Sequence, residues 1–345
     1  GNPYFIDLEE LIEEGMLTRE ECDSMDFGDD EDDIDYEDQY QNRYILLTMA
    51  YERSNISQNP DYQRFVEENR WWLDDYALFM ALKTFFNGQC WNEWPQDIRL
   101  RWGYSMDYYR RELYFDIEFQ QYMQFKFYEQ WDKLKAYANS RHIEIVGDIP
   151  IYVATDSADV WANQELFQLD SEGYPVVVAG VPPDYFSATG QLWGNPLYDW
   201  KVQKKDGFKW WVQRVRHQLK LTDYLRIDHF RGLESYWAVS YGEETAIYGE
   251  WIPGPREDLF LAFEKELGKE LPIIAEDLGD ITPEVEKLVK DSGYPGMRVL
   301  QFGFVDEEET AHIPHNYIQN CVAYTGTHDN NTLLGFVWEL DEPAR

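Results

Sequence analysis

The chain has 345 residues, of which 44% are hydrophobic and 17% aromatic, enough apolar material for one large domain or for a domain with an insertion. Its 66 acidic residues outnumber its 30 basic ones, and the net charge of −36 argues against nucleic acid and anionic lipid as partners because the field repels both. No apolar run approaches the roughly 20 residues of a membrane helix, and no signal-peptide pattern opens the chain. We expect a cytoplasmic protein that acts on a neutral molecule.

The cysteine and aromatic content indicates which kinds of binding site the chain can form. Cys22, Cys90 and Cys321 are widely spaced and form no CxxC pair, so neither a disulfide framework nor a zinc site is predicted. The chain also contains 14 Trp and 25 Tyr. Sugar rings have apolar faces that stack on aromatic side chains, so this composition is compatible with carbohydrate binding. For any single ring, a place in the core is the simpler interpretation.

The first 140 residues carry helical patterns. Apolar spacing predicts a short helix over 8–14 that ends at Gly15, and the capping-box pattern Thr18-Arg-Glu-Glu21 predicts the start of another. Longer amphipathic helices are predicted at 36–55, 60–87 and 106–139. The acidic stretch 26–38 lacks the turn glycine of a calcium loop and indicates a solvated loop. We therefore expect a mainly helical insertion region over 1–140.

The pattern changes from residue 143 onward. Short apolar runs lie at 143–148, 224–228, 273–276, 298–302 and 321–329, and four of the five end in a carboxylate. Helical patterns lie between them, for example at 208–219 and at 283–290, where Thr282 is the expected N-cap. Alternating strands and helices predict a parallel α/β sheet. Acids at strand ends favour a (β/α)8 TIM barrel, and the Gly-rich phosphate loop of a doubly wound sheet is not found.

Two of the strand-end carboxyl groups have different surroundings. Retaining glycosyl transfer needs one ionised carboxylate as nucleophile and one protonated carboxyl group as acid. Asp228 lies between Arg226 and Arg231, which favours its ionised form, and Glu276 ends an apolar run, which raises the pKa of a carboxyl group. Taken singly, a strand-end acid is more often a helix cap.

Several motifs occur together and in order. They are Gly147-Asp-Ile-Pro-Ile-Tyr-Val-Ala, Asp156-Ser-Ala-Asp-Val-Trp161, the long segment from Ala179 to Tyr198, Arg226-Ile-Asp-His-Phe-Arg-Gly232, Ala275-Glu-Asp-Leu-Gly279 and Tyr324-Thr-Gly-Thr-His-Asp-Asn330. Through them the chain resembles the 4-alpha-glucanotransferases of glycoside hydrolase family 77, the amylomaltases or disproportionating enzymes of the α-amylase clan. The resemblance implies a TIM barrel with a helical insertion at 1–140 and a catalytic barrel portion at 141–345.

The resemblance also implies roles for particular residues. The family's nucleophile falls on Asp228, its acid/base on Glu276 and its transition-state carboxylate on Asp329. The substrate-binding residues that it implies are Asp148, Tyr185, Phe186, Gln191, Trp193, Asn195, Arg226, His229 and His328. Without the resemblance, Asp148 would be a helix cap, Arg226 a surface ion pair and His328 an ordinary histidine.

The segment 180–200 resembles the active-site loop of that family. Its residues Tyr185, Phe186, Gln191 and Trp193 correspond to contacts on the acceptor side. A loop that excludes water but admits a sugar hydroxyl would favour transfer over hydrolysis, because both acceptors compete for one intermediate. We therefore expect a transferase that passes part of an α-1,4-glucan to the 4-hydroxyl of another glucan or of glucose. The alternatives are an α-glucan hydrolase and an inactive glucan-binding fragment.

Two further expectations follow. Asp228 and His229, like His328 and Asp329, are neighbours whose side chains point to opposite faces of a strand, so neither pair predicts a metal site, and no cofactor is expected. By the resemblance, the first two barrel strands and the last one are missing, so the barrel is expected to be truncated at both ends.

Overall fold

The computed structural model describes residues 1–28, 34–184, 187–279, 281–304 and 310–340. The chain divides into two compact units. The helical unit comprises 1–143, 156–164 and 171–174, and the sheet unit comprises 144–155, 165–170 and 175–345.

Helices build the helical unit. They are α1 (Leu8–Glu13), α2 (Arg19–Asp23), α3 (Tyr36–Ser54), α4 (Pro60–Phe85), α5 (Gln96–Arg99), α6 (Gly103–Glu112), α7 (Tyr114–Ser140) and α8 (Ala158–Ala162). The predicted capping box is present at the start of α2, where Thr18 and Glu21 each accept the other's backbone N–H. Fully buried side chains such as Leu46 and Tyr122 join α3 and α7 in one core, so packing of apolar faces holds this unit together.

The prediction of a single helix over 106–139 is wrong in one respect. The structure has two helices there, α6 and α7, which separate at Leu113 (φ −102°, ψ 26°). Leu113 is buried, with 6% of its surface exposed. The backbone leaves helical geometry at Leu113, and the side chain of this residue is buried in the core. The amphipathic patterns on either side of Leu113 do not reveal this break.

The sheet unit combines strands and helices. In chain order they are β1 (Val146–Ile149), β2 (Val177–Val181), β3 (Gln191–Pro196), α9 (Trp200–Lys205), α10 (Lys209–Leu221), β4 (Tyr224–Ile227), β5 (Ser235–Ser240), β6 (Gly249–Pro253), α11 (Glu257–Leu267), β7 (Ile273–Ala275), α12 (Pro283–Ser292), β8 (Gly296–Val299), β9 (Cys321–Tyr324) and α13 (Leu333–Glu339). Thr282 caps α12 as predicted, accepting the N–H of Val285.

The parallel strands follow the predicted alternation with helices. Among the described residues, β4 lies between β1 and β7 with parallel pairing, and β8 pairs with β9 in the same way. The N–H of Ala275 donates to the carbonyl of Pro295 over 2.9 Å, which joins the end of β7 to the start of β8. The carboxyl ends of β1, β4 and β7 therefore meet at one edge.

An antiparallel sheet was not predicted. It has the strand order β3-β2-β5-β6 within the described ranges, and β2 and β3 form a hairpin over much of the segment 180–200 that was expected to be a loop. Directly before β3, Gly190 has φ +68° and an added Cβ would collide with the carbonyl oxygen of Val181. The turn therefore requires glycine at this position.

No helix in the described part of the chain has the length and apolar character needed to cross a membrane.

Candidate active site

The parallel register gathers three acidic residues at one edge of the sheet. In β1 and β4, Asp148 is directly opposite Arg226, and in β4 and β7, Ile227 is opposite Ala275. Asp228 and Glu276 each follow their strand by one residue. Backbone bonds continue the pairing, because the N–H of Asp228 donates to Ile149 over 2.9 Å and that of Glu276 donates to Ile227 over 3.2 Å.

Arg226 connects two of these carboxylates. Its Nη1 donates to Asp148 Oδ2 over 2.6 Å, and its Nη2 lies 2.9 Å from Asp228 Oδ1. Its Nε donates to the sulfur of Met297 over 3.3 Å. Although burial acts to lower the pKa of Arg226, the hydrogen bond and charge of Asp148, with the charges of Asp228 and Glu276, outweigh it and raise this pKa. Arg226 is 8% exposed, so it is a fixed positive charge that orients Asp228.

Glu276 has surroundings of the opposite kind. It is 7% exposed at the end of β7, whose three residues are all buried. Burial, with a contribution from the nearby charge of Asp228, raises the pKa of Glu276 to about 7 against the pull of Arg226 and two backbone donors. Those donors are the N–H of His229, 2.7 Å from Oε2, and that of Leu278, 2.9 Å from Oε1. The carboxyl group is thus fixed in place and holds a proton near neutral pH.

This raised pKa has a consequence for stability. The unfolded chain loses the Glu276 proton near pH 4.5 and the folded chain near pH 7, so the folded state binds more protons between these values and its stability falls as the pH rises. Glu276→Gln cannot ionise. Its NH2 group cannot accept one of the two backbone N–H groups, a loss that is the same at every pH. Relative to the parent chain, we expect the free energy of unfolding of this variant to be up to about 3 kcal/mol higher at pH 8 than at pH 4.

Urea unfolding followed by tryptophan fluorescence at both pH values measures this difference. The exposed carboxyl group of Glu243 offers a control, and Glu243→Gln should give the same small difference at both pH values. A difference in stability between Glu276→Gln and the parent chain that is the same at pH 4 and at pH 8 would contradict the raised pKa.

His229 forms the turn between these carboxyl groups. Its backbone is left-handed (φ 53°), and its N–H is the one that Glu276 accepts. Burial and the charge of Arg231 lower the pKa of His229 to about 4, so its ring is neutral. The guanidinium of Arg231 lies 4.0 Å above the ring of Trp251, whereas Arg226 is ion-paired with Asp228.

The β2–β3 hairpin places an aromatic side chain, Trp193, next to His229. Trp193 is 38% exposed, and its ring stands nearly perpendicular to that of His229, with centroids 4.8 Å apart. Gln191 accepts the indole N–H of Trp193 over 3.1 Å, and Asn195 donates to the carbonyl of Val153 over 3.0 Å. Trp193 therefore lies beside the turn that carries Asp228, whereas Tyr185 and Phe186 lie outside the described residues.

Asp329 and His328 are placed differently from the other acids. Both follow β9 by several residues, and their side chains are 75% and 69% exposed. The recorded polar contacts of Asp329 are with His328 at 3.5 Å and with Thr327, whose hydroxyl accepts its backbone N–H. Within the described ranges, no hydrogen bond or ion pair links Asp329 to Asp228 or Glu276.

Two contacts behind the site were not anticipated from sequence. Asp277 accepts the N–H of Met297 over 2.6 Å and forms an ion pair with Arg298 at 3.1 Å, both side chains being almost buried. These bonds tie the loop after β7 to β8, next to Glu276. The Asp277 in Ala275-Glu-Asp-Leu-Gly279 was the available signal, because a second acid beside a catalytic one often anchors the loop.

Metal binding has little support in the described residues. No group of three or more His, Cys, Asp or Glu residues there is arranged to hold a metal ion. The chemistry of the strand ends is that of paired carboxyl groups, one ion-paired with arginine and one buried with a raised pKa, as in proteins that transfer glycosyl groups with retention.

Comparison with known proteins agrees with this chemistry. The family model of glycoside hydrolase family 77, described as 4-alpha-glucanotransferase, matches residues 1–344. The 4-alpha-glucanotransferase of Streptococcus pneumoniae is 49% identical over 348 residues, covering 100% of this chain and 69% of that protein. The enzyme of the same name from Clostridium butyricum is 48% identical over 337 residues, covering 97% and 69%.

A solved structure is similar over the whole chain. The amylomaltase from Streptococcus agalactiae, determined in complex with acarbose, matches with a TM-score of 0.95 at 40% identity and covers 100% of this chain and 70% of that one. The chain therefore belongs to the 4-alpha-glucanotransferase family, glycoside hydrolase family 77. The resemblance inferred from the motifs is confirmed: the fold is of the TIM-barrel type, and the enzyme class is that of glycosyltransferases acting on α-1,4-glucans.

Proposed function

We propose that this chain transfers a segment of an α-1,4-glucan to the 4-hydroxyl of another glucan or of glucose, by a retaining double displacement with Asp228 as nucleophile. The observation that carries the proposal is the contrast between two neighbouring carboxyl groups. Asp228 is ion-paired with a buried arginine, and Glu276 has a pKa raised to about 7.

The steps follow from these two groups. An Asp228 oxygen attacks the anomeric carbon as the bond to the leaving O4 breaks, and Glu276 gives its proton to that O4. In the second half, the acceptor's 4-hydroxyl attacks the same carbon, Glu276 takes the hydroxyl proton, and the bond to Asp228 breaks. Asp329 acts as the third carboxylate, stabilising the oxocarbenium-like transition state through the neighbouring sugar hydroxyl.

The other sequence-derived assignments belong to the same proposal. Asp148 and Arg226 hold the donor sugar, as do His229 and His328. The hairpin residues Gln191, Trp193 and Asn195, with Tyr185 and Phe186, hold the acceptor side. Support comes from the hydrogen bond between Asp148 and Arg226 and from the ring contact between Trp193 and His229.

The finer architecture is also proposed. We assign the parallel strands to a portion of a (β/α)8 barrel within 141–345, with residues 1–140 as the helical insertion, because the bond between Ala275 and Pro295 makes β1, β4, β7, β8 and β9 consecutive neighbours. A cytoplasmic location fits the free thiols of the three cysteines.

Incubation with maltotriose tests the function. We expect glucose together with maltopentaose and other lengthened products, separated by anion-exchange chromatography. If glucose and maltose form without any lengthened product, the chain is an α-glucan hydrolase, the alternative function, and not a transferase. Absence of any product from this chain would support the alternative of an inactive glucan-binding piece.

The hairpin supplies a second test. Trp193→Ala removes the ring beside His229 and opens the site to water, so we expect the ratio of hydrolysis to transfer to rise by roughly tenfold, equivalent to about 1.4 kcal/mol in relative barrier. Reducing-end release compared with maltopentaose formation gives the ratio. Trp71→Ala, which removes a ring of similar exposure from the helical unit, should leave the ratio unchanged.

A further inference from the structure

The helical unit contains a pocket that no step of the proposed reaction uses. It lies between α4, α6 and α7 and has a cavity volume of about 220 Å³. It is lined by Asp74 and Leu78 of α4, Arg110 of α6, and Tyr114, Ile117, Glu118 and Gln121 of α7. The lining thus combines apolar groups with hydrogen-bonding groups on one small concave surface.

Glu118 is the most firmly held polar group of the pocket. Its Oε2 accepts the hydroxyl of Tyr51 over 2.7 Å, and its Oε1 accepts the hydroxyl of Tyr114 over 3.2 Å. A carboxylate oxygen can accept more than one hydrogen bond. Glu118 therefore offers further acceptor sites in an orientation that two tyrosines already fix.

Asp74 and Gln121 complete the polar set. Within the described ranges, Asp74 accepts no hydrogen bond, and its ion pair with Arg70 is long, at 3.7 Å. Gln121 accepts the hydroxyl of Tyr62 over 3.0 Å, which leaves its NH2 group as a donor. The pocket thus presents two carboxylate acceptors and one amide donor, the combination that hydroxyl groups bind well.

The apolar part of the pocket suits the face of a sugar ring. Leu78 is fully buried below it, and the ring of Tyr114, 53% exposed, stands at its edge. Aromatic rings pack against the C–H faces of pyranoses. The volume is below the roughly 300–1,000 Å³ of sites for drug-sized ligands, which limits the occupant to about one ring.

Charge argues against an anion. The lining carries two carboxylates, Asp74 and Glu118, and one guanidinium, that of Arg110, so its net field repels negatively charged ligands. We propose that this pocket binds one glucosyl unit of an α-glucan as a secondary, non-catalytic site. The sugar's identity rests on the proposed function, whereas the preference for a neutral hydroxyl-bearing ring rests on the pocket itself.

Methyl NMR of the whole chain tests the proposal at the pocket. The δ-methyl group of Ile117, assigned with Ile117→Val, reports occupancy directly, and an Asp228→Asn background prevents turnover. We expect maltotriose to shift this signal in a saturable manner. Tyr114→Ala and Asp74→Asn should each weaken the apparent affinity by about tenfold or more. Tyr137→Ala removes a ring of similar exposure from the same helix and should leave the affinity unchanged.

The possible results separate this site from the active site. No saturable shift, or a shift that survives both pocket substitutions, overturns the proposal. A saturable shift in a chain that fails to disproportionate maltotriose overturns the proposed function and supports the pocket. Glycerol, which has hydroxyl groups but no ring, should leave the signal in place, and an equal response to glycerol would overturn the sugar assignment.

Discussion

Asp228→Asn is expected to abolish disproportionation of maltotriose, with a loss in kcat on the order of 10⁴- to 10⁶-fold, the range found when an enzyme's acting residue is removed. The amide is nearly isosteric with the carboxylate but cannot form the covalent glucosyl intermediate. It also leaves Arg226 with Asp148 as its remaining carboxylate partner, so the fold should persist. Initial rates by glucose release measure the loss.

The matched control is Asp206→Asn, a change of the same chemistry at the exposed end of α9, and it should retain full activity. If Asp228→Asn retains more than one per cent of the activity, Asp228 is not the nucleophile. A dead parent chain with intact maltotriose binding would favour the glucan-binding alternative.

Glu276→Ala is expected to lower the rate on maltotriose by about 10²- to 10⁴-fold, the usual contribution of general acid–base catalysis. The effect should depend on the leaving group. Fluoride departs without a proton, so formation of the intermediate from α-maltosyl fluoride should be far less affected than the reaction of maltotriose. In the parent chain, the rate should fall as the pH rises above about 7, where Glu276 loses its proton.

Comparison of the two donors across pH 5 to 9 checks this assignment. With Glu276→Ala, the fall in rate above pH 7 should disappear for the fluoride. Equal losses on both donors would show that Glu276 does not protonate the leaving group, and would make it a structural carboxyl group.

The sequence predicted two parallel strands because most of their residues are buried. The run that ends at Glu276 is apolar on both faces, the run that ends at Asp228 has buried Leu225 and Ile227 on either side of Arg226, and the observed strands β7 and β4 agree with these runs within a residue or two. The strand predicted at 298–302 was placed too late in the sequence. The observed strand β8 begins at Gly296, and the apolar residues from Leu300 onward form a 3₁₀ helix. An apolar run marks burial and does not distinguish a strand from the turn that follows it.

Other features depend on pairing between distant residues. The antiparallel sheet was missed because its β2–β3 hairpin contains Pro182, Pro183 and Gly190, which are typical of loops. The hydrogen bond between Asp148 and Arg226 joins positions 78 residues apart, and strand register alone brings them together. The surroundings of Glu276 were predictable in kind, because an apolar strand leads into it, whereas its two backbone donors were not.

Those two donors limit how the Glu276 carboxyl group moves. Each of its oxygens already receives a backbone N–H, so rotating the group would break a bond from His229 or Leu278. In the proposed reaction, the proton given to the departing chain and the proton taken from the arriving one therefore pass through the same position. The departing chain must leave that position before the acceptor's hydroxyl can reach it, so the two chains cannot occupy the site together.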